Sequence, residues 1–339
     1  MAEGNPFKSK RVFIGRKDLI SELEEYLSSA TYYEPQIVLL KGIRGVGKTY
    51  IIEKIEELAE RYKFLLISIS LSKKEKFNEK VVNEIANTAI YNIVEIPSKN
   101  DKTFFEKIKK EKKEAHVKIE EIYEKIKRTI HGMFVSVENA EKIDDINAVN
   151  RLLEKILKTK LPIMIAFSTS CILPIKAKKS LELESFSEKE TRNFIDEHLK
   201  ETKISMGEEC IKNIYRDSQG HPFILWVICS TLFSKLKETE KIITQGHYLL
   251  HFPSIMSKLA KELFDELYNK LSDGEKEILK LFEDKQKSIK EITEISGKPM
   301  NTITTIVLRL ERKGSVVRVK RGFYRVINKL YSEYVKERD

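Results

Sequence analysis

The chain has 339 residues, of which 41% are hydrophobic and 34% charged, and carries a formal net charge of +10. That length accommodates two or three domains and a sizeable core, and no apolar run approaches the length of a membrane span, which argues against a membrane-spanning helix. Residues 1–11 are polar and basic without an apolar centre, so a secretory signal is not expected, and the three cysteines, Cys171, Cys210 and Cys229, fit neither a zinc site nor a disulfide framework. A reducing cytoplasm is the expected compartment. The basic surplus suits an anionic partner, nucleic acid or nucleotide. Abundant lysine, glutamate and isoleucine, with glutamine only at Gln36, Gln219, Gln245 and Gln286, fits a hyperthermophile composition equally well.

In chain order, Val12-Phe13-Ile14-Gly15-Arg16-Lys17-Asp18-Leu19 leads into a helix predicted over 20–27. The apolar run 36–40 reads as a buried parallel strand. It enters Gly42-Ile43-Arg44-Gly45-Val46-Gly47-Lys48-Thr49, which matches G-x-x-x-x-G-K-[ST] without a departure. A helix over 50–62 starts at Tyr50 and has Ile51, Ile52, Ile55 and Leu58 at helical spacing. The chemistry needs these residue types. Glycines let the backbone turn its N–H groups towards a phosphate, and a helix start adds positive dipole. Lys48 reaches the outer phosphates, and the Thr49 hydroxyl ligates Mg²⁺. ATP or ADP with Mg²⁺ is therefore the expected cofactor.

Residues 64–71 read as a strand. The long segment 72–129 contains helical patterns at 78–94 and 104–127, and the second is dense in opposite charges, as on a solvated helix face. The strand 132–137 ends at Glu138-Asn139-Ala140-Glu141-Lys142, and the strand 162–167 ends at Ser168-Thr169-Ser170. A plain strand-ending turn is the competing reading at each, and the stronger competitor at Ser168-Thr169. A short strand beginning at Leu183 precedes a helix over 188–199, capped by Ser187 and Glu190. Helices over 207–217 and 222–236 flank Ser218-Gln219-Gly220-His221-Pro222, and Phe252-Pro253-Ser254 reads as a turn and helix start within a connecting segment. Three further helices, 273–282, 288–295 and 301–313, and two strands, 315–319 and 323–326, predict a winged helix-turn-helix. In that fold the third helix enters the major groove. Lys298, Asn301, Thr302, Thr305, Arg309, Lys320, Arg321 and Arg325 are its candidate nucleic-acid contacts. A winged helix used only for protein contact is the competing reading.

These motifs together resemble the archaeal ATPase family, P-loop proteins bridging AAA+ and STAND ATPases and related to origin-recognition ATPases. The resemblance runs from Phe13 to about Val326. It implies an α/β core of AAA+ type with a parallel sheet over 1–184, a helical lid over 185–250, a linker helix over 251–270 and a winged helix over 271–339. It implies that Phe13, Ile14, Gly15 and Arg16 lie near the adenine and that Gly220, His221 and Pro222 face the nucleotide. It places Glu138 at the Mg²⁺-side acid, Asn139 at the water-activating glutamate, and Ser168 and Thr169 at the γ-phosphate sensor. Asparagine accepts no proton at neutral pH, so hydrolysis is expected to be weak or absent. The lid helix also lacks the arginine usual in initiators. The implied function is a nucleotide-dependent switch on double-stranded DNA. An origin-recognising initiator or loader, and a nucleotide-gated scaffold that self-associates or binds protein partners, are the alternatives; no membrane partner is expected.

Overall fold

The structure is a computed structural model that describes residues 5–9, 14–71, 76–93 and 99–338. The chain forms two compact units. One comprises residues up to Gly15, Ile43–Gly47 and Glu184–Asp339; the other comprises Arg16–Gly42 and Lys48–Leu183.

A short helix α1 (Pro6–Ser9) belongs to the first. The second, an α/β unit, contains α2 (Lys17–Thr31), β1 (Gln36–Lys41), α3 (Lys48–Arg61), β2 (Phe64–Ser70), α4 (Phe77–Ile93), α5 (Lys99–Lys110), α6 (Ala115–Ile126), β3 (Gly132–Glu138), a 3-10 turn (Ala140–Lys142), α7 (Ile146–Ile156), β4 (Ile163–Thr169) and β5 (Lys179–Glu182). The five strands form one parallel sheet in the order β2-β3-β4-β1-β5. Apolar residues fill both faces, as parallel strands require. Ile37, Leu39, Ile67, Val135, Ile165 and Phe167 pack with the apolar faces of α4, α6 and α7. The alternate residues Val38, Leu40, Phe134, Met164 and Ala166 are buried too, and α2 and α3 pack on the sheet through Leu23, Leu27, Ile51 and Ile55.

Two expectations change here. The helix predicted over 104–127 is two helices, α5 and α6, broken at 111–114. Phe105 and Ile108 on one, and Ile119, Ile122 and Ile126 on the other, bury against α4, which a straight rod could not achieve. Most of the charges stay outside and pair, as in Lys113 with Glu111 and Glu121, whereas the buried Lys118 donates to the Lys109 carbonyl at 3.0 Å. The strand expected from Leu183 lies earlier, as β5. Val94, the predicted end of the preceding helix, lies outside the described residues.

The other unit continues with α8 (Glu188–Leu199), β6 (Ser205–Met206), α9 (Glu208–Ser218), α10 (Pro222–Lys235), β7 (Ile242–Ile243), α11 (Gln245–Leu259), a π-helical stretch (Ala260–Phe264), α12 (Asp265–Asn269), α13 (Asp273–Lys280), β8 (Lys287–Ser288), α14 (Ile289–Ser296), α15 (Met300–Arg312), β9 (Val316–Lys320), β10 (Phe323–Val326) and α16 (Lys329–Lys336). One continuous apolar core runs from Phe194 and Ile228 through Phe264 to Val307 and Tyr331. Ser187 and Glu190 form the expected capping box of α8. The last three strands form an antiparallel sheet, β8-β10-β9, beside α13, α14 and α15.

Phe252-Pro253-Ser254 is not a helix start but the interior of α11. Tyr248, Ile255 and Leu259 hold one face of that helix in the core, while Leu249 and Pro253 are exposed. The carbonyl that the proline ring deprives of its partner is that of Leu249, on the wet side, where water can satisfy it. Among the described residues, no helix is long and apolar enough to cross a membrane.

Candidate functional site

In the α/β unit, β4 lies between β3 and β1, so three neighbouring strand ends carry expected site residues. Val137 pairs with Phe167, Leu40 with Ser168 and Lys41 with Thr169. Glu138 thus closes β3 beside Ser168, and Gly42 leaves β1 beside Thr169, its N–H donating to the Thr169 carbonyl at 3.3 Å. The carboxyl edge of such a sheet is where ligands bind in open α/β folds. The Lys48 ammonium at the start of α3 donates to the Gly42 carbonyl at 2.6 Å. Thr49 is exposed, and Tyr50 and Glu138 are half-buried.

The residue types at these strand ends have local causes. Asn139 takes a left-handed conformation, φ 55° and ψ 45°. Asparagine tolerates that region better than glutamate does, because its short amide bonds locally. Glu141, one turn on, is held by Ser170, whose hydroxyl donates to Oε1 at 3.1 Å. The Thr169 hydroxyl is fully buried; it donates to the Cys171 carbonyl and accepts from the Cys171 N–H, at 3.1 and 3.2 Å. It closes the strand-ending turn, which leaves Ser168 as the sensor candidate. Behind the edge, Ser68 and Ser136 both donate to Oε1 of Glu56 on α3. Burial raises the Glu56 pKa, the serine bonds oppose it, and Glu138 and Glu53 push it further up.

The middle of the loop, Ile43–Gly47, belongs to the unit of α8–α16. Val46 is buried there, and Ile43 packs on that core. Gly45 has φ 78°, and an added Cβ would lie 2.7 Å from the His221 ring and 2.9 Å from Phe223; only glycine fits. The N–H of Phe223 donates to the Gly45 carbonyl at 3.2 Å. The Nε2 atom of His221 is 2.8 Å from the Arg44 carbonyl, and Nδ1 caps α10 by accepting from the Ile224 N–H at 3.4 Å. A carbonyl only accepts, so Nε2 carries the proton and Nδ1 is free to accept. Gly220 is left-handed, and a Cβ there would meet the Phe186 carbonyl oxygen at 1.8 Å; Pro222 opens α10. Gly15 (φ 65°) and Arg16 (φ 58°) turn the chain into α2 next to the buried Ile14. Phe13 lies outside the described residues.

The chain aligns over 98% of its length with the Walker-type ATPase PABY2304 of Pyrococcus abyssi, covering 99% of that chain at 15% identity and a TM-score of 0.68. It aligns over 98% with the Aeropyrum pernix ORC1 protein solved in complex with DNA, covering 96% of it at 14% identity and a TM-score of 0.50. The fold is that of an AAA+-type P-loop ATPase. No protein-family model and no curated protein matches the chain.

The candidate nucleic-acid residues separate into open and engaged groups. Asn301, Thr302, Thr305 and Arg309 are exposed along α15, with Arg312 beyond them. Lys320 and Arg321 are exposed at the β9–β10 turn, together with Arg318. Lys298 is paired with Glu277 at 2.5 Å. Arg325 is also engaged: it is half-buried, its Nη1 donates to the carbonyls of Val326 and Ile327 at 3.2 and 3.4 Å, and burial lowers its pKa. Its guanidinium holds the strand end. Lys313 is likewise engaged, on the buried Glu275 at 2.6 Å.

Sequence reasoning missed Glu266. On α12 it grips Arg44 of the loop through both carboxylate oxygens, with Nη1 2.6 Å from Oε1. It also missed Asp217, which accepts from Tyr248 at 2.8 Å and Lys329 at 3.0 Å. Both contacts join residues far apart in sequence, and no local pattern announces either.

Proposed function

We propose that this chain binds Mg-ATP at residues 42–49 and acts as a nucleotide-dependent switch that holds duplex DNA through residues 271–339. The observation that carries the reading is the loop itself. Gly42, Gly45 and Gly47 have φ of 156°, 78° and 101°, and the N–H groups of Arg44, Gly45 and Gly47 have no partner among the described residues. Consecutive unpaired N–H groups ahead of a helix start fit a phosphate. Lys48 would exchange the Gly42 carbonyl for phosphate oxygens, and Thr49 and Glu138 would hold Mg²⁺. The metal would supply charge neutralisation on the phosphates. Asn139 would position a water without taking its proton, so turnover would be slow.

The switch reading rests on a path within one unit. Arg44 meets His221, and the turn before His221 is tied to the C-terminal segment by Asn328, whose Nδ2 donates to the Ser218 carbonyl at 2.8 Å. A loop that shifts on binding triphosphate would therefore bias α16 and the elements packed on it. We read α13, α14, α15 and the β8-β10-β9 sheet as a winged helix, with Asn301, Thr302 and Thr305 towards bases and Arg309, Lys320 and Arg321 on phosphates. The ORC1 protein of similar fold was solved with DNA.

The test is a fluorescence-anisotropy titration of labelled duplex at several salt concentrations, with ATP, ADP or neither. Phosphate contacts make log Kd climb linearly with log salt, and nucleotide should shift the curve for wild type but not for Lys48→Ala. A repeated site bound far more tightly than random duplex would favour an initiator. Absence of binding at low salt would leave a protein scaffold.

A further inference from the structure

We propose that Arg44 is the phosphate-binding arginine of this chain and that Glu266 holds it parked until a triphosphate arrives. This rests on the nucleotide reading above and adds a residue and a means of regulation to the same site. The guanidinium belongs to the loop, four residues before Lys48, and both of its terminal nitrogens engage the Glu266 carboxylate. A planar fork that grips a carboxylate through two parallel N–H bonds has the geometry to grip a phosphate the same way. Within α10, Pro222–Lys235, there is no arginine to compete for that role.

The contact is built to be exchanged. Its side chains are 41% and 47% exposed, and ion pairs open to water are weakly held. A triphosphate presents several negative charges against the single charge of Glu266. Glu266 is not stranded when Arg44 leaves, because Lys270 stands 2.6 Å from Oε1. Arg44 and Lys270 together hold the Glu266 carboxyl down to about 2, so near neutral pH it is the anion that the guanidinium grips. The backbone at Arg44 and Gly45 is meanwhile fixed by His221 and Phe223, which lets the side chain swing from an anchored base. Helix α12 continues the π-helical stretch whose Phe264 packs on Tyr331 of α16. Release of Glu266 by Arg44 thus frees a helix joined to the C-terminal core.

Calorimetric titration of the full chain with Mg-ATP and Mg-ADP tests this in wild type, Arg44→Gln, Glu266→Gln, the double variant and Lys48→Ala, with circular dichroism confirming that each is folded. Glu266→Gln should tighten ATP about three- to tenfold and ADP less, since a charged competitor is removed. Arg44→Gln should weaken ATP about tenfold and bring the ATP and ADP affinities together, with Arg44→Lys recovering part of the loss. The double variant should match Arg44→Gln, because nothing remains to park. An ATP-to-ADP ratio unchanged in both single variants, or equal weakening of both nucleotides by Glu266→Gln, overturns the proposal while leaving nucleotide binding intact. Wild type that binds nucleotide no better than Lys48→Ala overturns both.

Discussion

The imidazole of His221 joins the glycine-rich loop 42–49 to the start of α10: Nε2 meets the Arg44 carbonyl at 2.8 Å while Nδ1 caps the helix. One neutral ring therefore serves two backbones, and it is 1% exposed. His221→Ala removes a cap and a buried acceptor's partner together. Each is worth about 1 kcal/mol, so a loss of about 2 kcal/mol is expected. Thermal melting should show that loss, and it should be accompanied by weaker nucleotide binding because the loop loses its anchor. Full affinity in a destabilised His221→Ala protein would reduce the ring to a helix cap.

Asn139 stands where the family resemblance implies a proton-accepting glutamate, and its φ of 55° explains part of the departure. Glu141 does not stand in for it, being held by Ser170. Asn139→Glu should raise ATP turnover and cost about 1 kcal/mol, the strain of a longer side chain in left-handed backbone. Asn139→Gly separates the two effects: it keeps the backbone relaxed and should give no gain in turnover. Steady-state phosphate release and melting on the same three proteins decide it, and an unchanged rate for Asn139→Glu would mean that β3 does not present this position to the nucleotide.

What the sequence made legible was local. The glycine-rich loop is a run of eight residues whose types follow from backbone turning and helix start, and the strands around it are short apolar runs of the kind a buried parallel sheet uses. The break between α5 and α6 was not legible, because Glu111, Lys112, Lys113 and Glu114 suit a helix; the bend comes from where Phe105 and Ile119 must both reach. Pro253 misled for the opposite reason: a local breaker is tolerated when the freed carbonyl faces water and the opposite face is firmly buried. The Arg44–Glu266 pair spans 222 residues of chain, and the engagement of Arg325 depends on carbonyls at a strand end, so composition could not sort it from its exposed neighbours.

Asp217 gives a pH signature. Burial raises its pKa, but bonds from Arg216, Tyr248 and Lys329 outweigh burial and leave it lowered. A lowered carboxylate pKa contributes stability that is present above the unfolded value, about 3.9, and is lost as pH falls through the folded value. Asp217→Asn should cost about 2–3 kcal/mol at neutral pH, the loss expected when hydrogen bonds to a charged group are weakened. The gap between wild type and variant in denaturant melts should close as pH drops below about 3.9. A gap that persists at low pH would show that the side chain acts through its shape alone.

The cations of the C-terminal segment make a sharper test than any single substitution, because the fold sorts them. Arg318, Lys320 and Arg321 are exposed around one hairpin turn, whereas Arg325 spends its donors on the carbonyls of Val326 and Ile327. If the hairpin lies along a DNA backbone, replacing the first three with alanine should weaken duplex binding at every sequence alike. It should also flatten the slope of log Kd against log salt by about 2–3, each lost phosphate contact accounting for about 0.9. Arg325→Ala should do neither directly: its effect should appear as a lower melting temperature, with the salt slope intact at temperatures where the protein is folded. A slope that falls for Arg325→Ala and holds for the triple variant would reverse the assignment and place DNA on another face.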